Sequence, residues 1–243
     1  MYAVRCFVAL ISLTAWHGTR AIVAGLLGGR AEPGAMLDRE PRAWGRQLLR
    51  TSGLHVETVG LDRLNAGQPY VYASNHASFV DIWVLLALLP GLVRFITKRE
   101  LLRIPIFGDA IRATGQIALD RHDPASGVHA YDSAVREACA GRSVVVFVEG
   151  TRSADGRLHR FKKGAFVLAI AAGVPLVPVY LAGTHDVMPR GTLRLRRGPI
   201  RLTVGEPIPT AGLDAADARR LQHEVRAWFV AQEAGVDAVG GAA

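Results

Sequence analysis

Cysteine is nearly missing from this chain: Cys6 and Cys139 are the only two in 243 residues. Neither belongs to a Cys-x-x-Cys pair or has a paired histidine, which argues against metal or redox work and leaves two free thiols in a reducing compartment. Other signatures are missing too. There is no G-x-x-x-x-G-K-[ST], so a nucleotide phosphate loop fails despite Lys162-Lys163. No G-x-S-x-G occurs, against an α/β-hydrolase type of serine hydrolase. No H-E-x-x-H or Cys/His cluster points to zinc. The basic residues form no arm and lack aromatic interleaving, against a nucleic-acid binder. Repeats and low-complexity tracts are absent, and no uninterrupted apolar run reaches the ~20 residues of a comfortable membrane span.

What is present is a basic, hydrophobic chain. Half its residues are hydrophobic, the formal net charge is +8 and the pI is about 10.2. That length fits one catalytic domain with a short appendage. An excess of positive charge spread along the chain suits an anionic membrane surface or a phosphorylated substrate.

The N-terminus carries the first apolar segment. Residues 6–16 are almost wholly apolar, His17, Gly18, Thr19 and Arg20 interrupt, and residues 21–29 are apolar again. Three arrangements fit: a signal peptide with residues 6–16 as its apolar core, one tilted span that buries His17 and Arg20, or two short helices lying in the interface. The third carries the lowest physical cost, with His17 and Arg20 at headgroup level and Trp16 as an anchor. Arg5, Arg20 and Arg30 precede the first acid, Glu32, and suit an anionic cytoplasmic leaflet. Residues 31–47, with Pro33, Gly34, Pro41 and many charges, read as a connector. The division is therefore 1–47 for the membrane-associating segment and connector, and 48–238 for the catalytic domain.

Beyond residue 48, strand-like and helical patterns alternate. Strands are expected at 70–73, 93–97, 116–119, 143–148 and 175–181, with 193–197 and 200–204 forming a hairpin at an edge around Gly198-Pro199. Helices are expected at 79–89, 125–140 and 165–172, with a last one capped by Asp214. The alternation implies an α/β domain with helices on a largely parallel sheet and its ligands at the loops leaving the strand C-termini.

Directly after the first strand comes Asn75-His76-Ala77-Ser78-Phe79-Val80-Asp81. Ser78 and Asp81 fit a capping box, Ser-x-x-Asp. Asp81 can equally bond one imidazole nitrogen of His76 and leave the other as a general base. The two readings are compatible, since a carboxylate in the first turn lies near the preceding loop. The other histidines, at 17, 55, 122, 129, 159, 185 and 223, lack such partners. A buried strand delivers Glu149-Gly150-Thr151-Arg152 to the sheet edge, where Arg152 offers a bidentate fork for phosphate. Glu149 is either an acceptor for a substrate hydroxyl or a structural partner of a nearby base. Surface ion pairing is the competing reading for Arg152, and solvated charge for Lys98 and Arg121.

Four segments in order carry a resemblance. Asn75-His76 with Asp81 is the first. Lys98-Arg99-Glu100-Leu101, Pro105-Ile106-Phe107-Gly108, Gly115 and Asp120-Arg121 form the second. Phe147-Val148-Glu149-Gly150-Thr151-Arg152-Ser153, then Phe161-Lys162-Lys163-Gly164, is the third, and Val174-Pro175-Leu176-Val177-Pro178-Val179 the fourth. Together they resemble the glycerolipid acyltransferase family of the lysophosphatidic acid acyltransferase type, over roughly residues 70–180. Val148 departs from that family's usual proline and adds a backbone N–H.

The resemblance implies a glycerolphosphate acyltransferase-like α/β fold and a reaction. An acyl group passes from acyl-CoA or an acyl carrier protein thioester to the sn-2 hydroxyl of 1-acylglycerol-3-phosphate, with no bound cofactor and no metal; another lysolipid acceptor such as lyso-ornithine lipid fits the same segments, and a non-catalytic membrane-binding protein is the reading from a different class. It implies His76 as base and Asp81 as its orienting partner. Asn75, Lys98, Arg121, Glu149, Gly150, Thr151 and Arg152 become substrate-binding candidates, and backbone N–H groups near Ser78 candidate oxyanion donors. Implied partners are the lysophospholipid, the thioester donor, an anionic membrane surface and acyl carrier protein, with no nucleic acid.

Overall fold

Valine-rich runs build the middle of the sheet. In the computed structural model, which describes residues 1–28, 36–120 and 123–240, β2 (Val71–Ser74) lies between β5 (Ser143–Phe147) and β6 (Leu176–Ala182). All three are parallel, with Tyr72 opposite Val145 on one side and Val177 on the other. Both faces of β2 are buried, the condition under which a strand is continuously apolar instead of alternating. Outward from β5 come β3 (Val93–Lys98) and β4 (Ile117–Leu119), also parallel. Outward from β6 come β7 (Ile200–Val204), antiparallel to it, and β1 (Val56–Val59) on the edge.

Alternate residues of the central strands face opposite ways and feed two cores. Tyr72, Phe95, Val145, Val177 and Val179 pack with Trp44, Leu48 and Trp83. These come from α2 (Met36–Thr51) and α3 (Val80–Leu88), on which α1 (Tyr2–Leu26) also lies. Val71, Ala73, Val144 and Tyr180 pack on the other face with Ala134, Phe166 and Phe229. These belong to α5 (Pro124–Cys139), α6 (Gly164–Ala172) and α8 (Asp217–Gly240). The short helices α4 (Phe107–Ala113) and α7 (Thr184–Val187) complete the chain.

Three expectations need correction. The N-terminal apolar segment is one continuous helix and not two short ones. His17 does not interrupt it, because its imidazole is buried against Glu40 and Gln47 of α2. Gly18 is the point where α4 comes close: a Cβ there would lie 2.7 Å from Ile106 Cγ2.

Residues 36–47 are not connector but the start of α2. Their charges have local work: Arg46 donates to the carbonyl of Ala87 in the last turn of α3, and Arg42 to those of Leu89, its C-cap, and Gly91 in the following turn. The rest of the expected connector, including Pro33 and Gly34, lies outside the described residues.

Residues 193–197 form no strand. The two flanks of β7 are taken by β6 and β1, so no edge remains for a hairpin partner. Instead Leu195 is buried and the Arg196 N–H donates to the carbonyl of Val187.

Candidate active site

The C-terminal ends of β2 and β5 bring the first and third sequence segments together. Leaving β2, Asn75 is buried and its side-chain amide is fully engaged. Nδ2 donates to the Leu181 carbonyl at 2.9 Å and Oδ1 accepts from the Leu181 N–H at 2.8 Å. Asn75 therefore ties the loop after β2 to β6 and is not on the cavity wall, contrary to its reading as a substrate ligand.

The next residue carries the chemistry. His76 Nδ1 lies 2.7 Å from Asp81 Oδ2, and the same oxygen accepts from the N–H groups of Ala77 and Ser78 at 2.8 Å each. Ser78 Oγ accepts from the Val80 N–H and donates to the Met188 carbonyl. The capping box and the imidazole partnership thus coexist, as the spacing permits. Asp81 is fully buried while the His76 side chain keeps 14% exposure toward a cavity. The His76 ring is stacked on Phe147, 3.7 Å between centroids and 9° between planes. Since Ala77 and Ser78 direct their N–H groups to Asp81, they are not free to hold an oxyanion, which corrects that expectation.

Glu149, at the end of β5, is also a structural clamp. Oε1 accepts from the His76 N–H at 3.2 Å and Oε2 from the His159 N–H at 3.1 Å. Burial pushes its carboxyl above the usual range, and these two N–H groups pull it partly back. The Ser153 N–H donates to the His76 carbonyl at 2.7 Å, so the third segment holds both backbone groups of His76. Glu149 does not line the cavity; of its two readings, the structure has it as partner of the base in place of a contact with substrate.

Gly150, Thr151 and Arg152 do line the cavity. Gly150 has φ 73°, and a Cβ there would sit 2.8 Å from Lys162 Cε, so only glycine leaves this lysine its place. Lys98, Lys162 and Arg190 join Arg152 on the wall, so four cations line the cavity that His76 lines. Arg190 is held there by donating to the Arg152 carbonyl. Arg121 lies outside the described residues. The Phe147 stack, Lys162, Arg190 and the His17–Glu40 pair were missed in the sequence. Of these, Phe147 and Lys162 had a signal, since both stand in the third segment.

The cavity measures about 750 Å³ and passes over the ends of β3 and β5 from one face of the sheet to the other. On the α1–α4 face its wall is largely apolar, with Ala21, Trp44, Phe79, Ile82 and Phe107. On the other face it runs between α5 and α6. His76 is part of the same lining.

A largely parallel sheet carries a His–Asp pair and a cationic cavity wall at its strand ends, which suits acid–base work on an anionic substrate. The family model described as Acyltransferase matches residues 55–182, more than half of the chain, and the chain belongs to that family. It is 44% identical over 155 residues to the chloroplastic 1-acyl-sn-glycerol-3-phosphate acyltransferase BAT2 of Brassica napus, covering 63% of this chain and 45% of that protein. It is 36% identical over 176 residues to human 1-acyl-sn-glycerol-3-phosphate acyltransferase alpha, covering 72% and 62%. The chain spans about half the length of the curated relatives it matches. The crystal structure of the 1-acyl-sn-glycerophosphate acyltransferase PlsC from Thermotoga maritima superposes with a TM-score of 0.76 at 24% identity. It covers 99% of this chain and 98% of that one, and shares its fold.

Proposed function

We propose that the chain transfers a fatty acyl group from an acyl-CoA or acyl carrier protein thioester to the sn-2 hydroxyl of 1-acylglycerol-3-phosphate, giving phosphatidic acid. The observation that carries this reading is the His76–Asp81 pair on a cavity that also has an apolar wall and four cations. The names of the relatives point to the same reaction in those proteins.

The geometry supports a direct transfer. Asp81 accepts from Nδ1–H and so fixes the imidazole tautomer, which leaves Nε2 as the base. Nε2 takes the proton of the acceptor hydroxyl as its oxygen attacks the thioester carbonyl carbon. The C–S bond breaks, the imidazolium returns its proton, and the thiol leaves. Nothing in this sequence needs a covalent acyl-enzyme. Arg152, with Lys98 as a second cation, is suited to the acceptor phosphate, which would position the hydroxyl without taking part in bond making.

The proposed place of work is an anionic membrane surface. By length and composition alone, α1 could cross a membrane. Its outer side exposes Val4, Phe7, Val8, Ile11, Trp16 and Val23, while its inner side buries His17, Gly18, Ala21 and Ala24 against the protein. A helix so divided suits insertion of the outer side among lipid chains, with the cavity opening close to the bilayer. Basic residues favour the cytoplasmic leaflet.

Purified protein given long-chain thioester and either 1-acylglycerol-3-phosphate or lyso-ornithine lipid tests the reading. Transfer to the phosphate acceptor that disappears in His76→Ala supports it. Transfer to the other lysolipid alone overturns the acceptor assignment, and transfer that survives in His76→Ala overturns the base.

A further inference from the structure

Arg190 stands outside every segment that marked the site in the sequence, yet it lines the cavity. Its Nη1 donates to the Arg152 carbonyl at 3.0 Å, and the residue is exposed. One carbonyl occupies a small part of the five N–H donors of a guanidinium.

Hydrogen bonds bring the chain around both arginines to the base. Ser78 Oγ donates to the Met188 carbonyl at 2.8 Å, just before Arg190. The Ser153 N–H donates to the His76 carbonyl at 2.7 Å, just after Arg152. The turn that carries His76 is thus flanked by the two loops that carry Arg152 and Arg190.

The charge on this wall is uncompensated. Among the described residues, Lys98, Arg152, Lys162 and Arg190 have no carboxylate partner. The acids on the same wall are engaged elsewhere: Glu40 with His17 and Arg20, Asp120 with Arg99, and Asp123 with the N–H of Ala125. Two guanidinium forks and two ammonium groups suit an anion with more than one negative charge and several free oxygens. A phosphate monoester carries about −1.5 to −2 charges near neutral pH and has three such oxygens, whereas a diester has one charge and fewer oxygens. In the acceptor, the phosphate is borne by the carbon next to the one with the reacting hydroxyl, so it has to sit near the base. The phosphates of coenzyme A are held away from the thioester by the whole pantetheine arm.

We propose that Arg190 joins Arg152 in gripping the phosphate monoester of the acceptor, and so selects 1-acylglycerol-3-phosphate over lysolipids whose phosphate is a diester. The assignment deepens the acyl-transfer reading and rests on it.

The test is steady-state transfer by the full chain in phosphatidylcholine vesicles, wild type against Arg190→Ala and Arg190→Lys. The acceptors are 1-acylglycerol-3-phosphate and its phosphate methyl ester, which differs only in being a diester. Arg190→Ala is expected to lower kcat/KM for the monoester about 10- to 30-fold, the lower end for a charged hydrogen bond because the group is exposed. The methyl ester, followed as substrate or as inhibitor, should weaken by about threefold or less. Arg190→Lys keeps the charge, loses the fork and should fall between. An equal loss on both acceptors would make Arg190 a mere support for the Arg152 loop, and a rise in the donor KM would place it on the phosphates of coenzyme A; either result, or no loss at all, overturns the assignment. Should the wild type transfer nothing, the acyl-transfer reading fails on that result alone. Titration calorimetry with the soluble 1-hexanoylglycerol-3-phosphate then decides this one: binding about 10- to 30-fold weaker in Arg190→Ala supports it, and equal or absent binding overturns it.

Discussion

The imidazole of His76 lies flat on the ring of Phe147, with centroids 3.7 Å apart. Asp81 holds the edge of the same imidazole, so the ring is fixed about both of the axes on which it could turn. Phe147 reaches this place because β5 ends there, with Val146 and Val148 turned to the opposite core. Phe147→Ala removes the stack and leaves the hydrogen bond. The expected result is a kcat lower by roughly 10- to 100-fold with both KM values little changed, since misplacement of a base by about 1 Å has that order of effect. Steady-state kinetics, with Phe147→Tyr as the control that keeps the stack, checks it.

The base and its partner are expected to separate by degree. His76→Ala should lower kcat by about 10²- to 10⁴-fold, the usual worth of a positioned general base. Asp81→Asn should also lower it steeply, because an amide no longer fixes the tautomer. Membrane partitioning and thermal unfolding of His76→Ala should match wild type, and a kcat within threefold of wild type would refute the assignment.

Glu149 gives a prediction in two parts. As a clamp on the His76 N–H, its replacement by Gln should lower kcat while sparing the acceptor KM; a residue that held the glycerol would show the reverse. The stability part follows from burial. The folded-state pKa is raised above the unfolded value, so the folded chain binds this proton more tightly. Its stabilising contribution is complete below the unfolded pKa and is lost as pH rises through the folded one. Glu149→Gln cannot ionise and escapes that loss. The melting temperature of the variant should therefore gain on wild type as pH climbs from the ordinary carboxylate range, measured by thermal denaturation over a pH series.

Arg152 is expected to act on the acceptor alone. A hydrogen bond to a charged group contributes about 1.5–3 kcal/mol, so Arg152→Ala should raise the KM for 1-acylglycerol-3-phosphate roughly 10- to 100-fold. The donor KM should stay put. Kinetics with each substrate varied in turn distinguishes this from a surface ion pair, whose loss would move neither.

The exposed side of α1 can be tested without touching its buried side. Phe7→Asp with Ile11→Asp places two charges where apolar side chains are 43% and 56% exposed. Sedimentation with anionic vesicles should fall sharply, while activity on detergent-solubilised substrate is retained. Unchanged sedimentation would show that another surface binds the lipid.

The parts of the fold written in local patterns were legible in the sequence. The runs at β2, β5 and β6 are apolar because both faces are covered, and periodicity captures that. Edge strand β1 escaped because Glu57 and Thr58 look like loop; Glu57 pairs with Arg201, on β7, 144 positions away. The helix α2 escaped because Pro41 and its charges look like a breaker, whereas Glu40, Arg42 and Arg46 serve partners on other helices. The same distance effect governs the site. The His76–Asp81 contact is local and could be read. The engagement of Asn75 with Leu181 and of Glu149 with the His76 N–H joins separate strands, so motif membership alone made both look like ligands.

A cavity lined from both faces of one sheet has a kinetic consequence. Two reactants held on opposite faces beside the same His76 need not take turns, and neither has to depart before the other arrives. Both can be resident at once, so double-reciprocal plots should intersect instead of running parallel. Coenzyme A released at the end of a turnover should then block incoming donor without displacing the lipid.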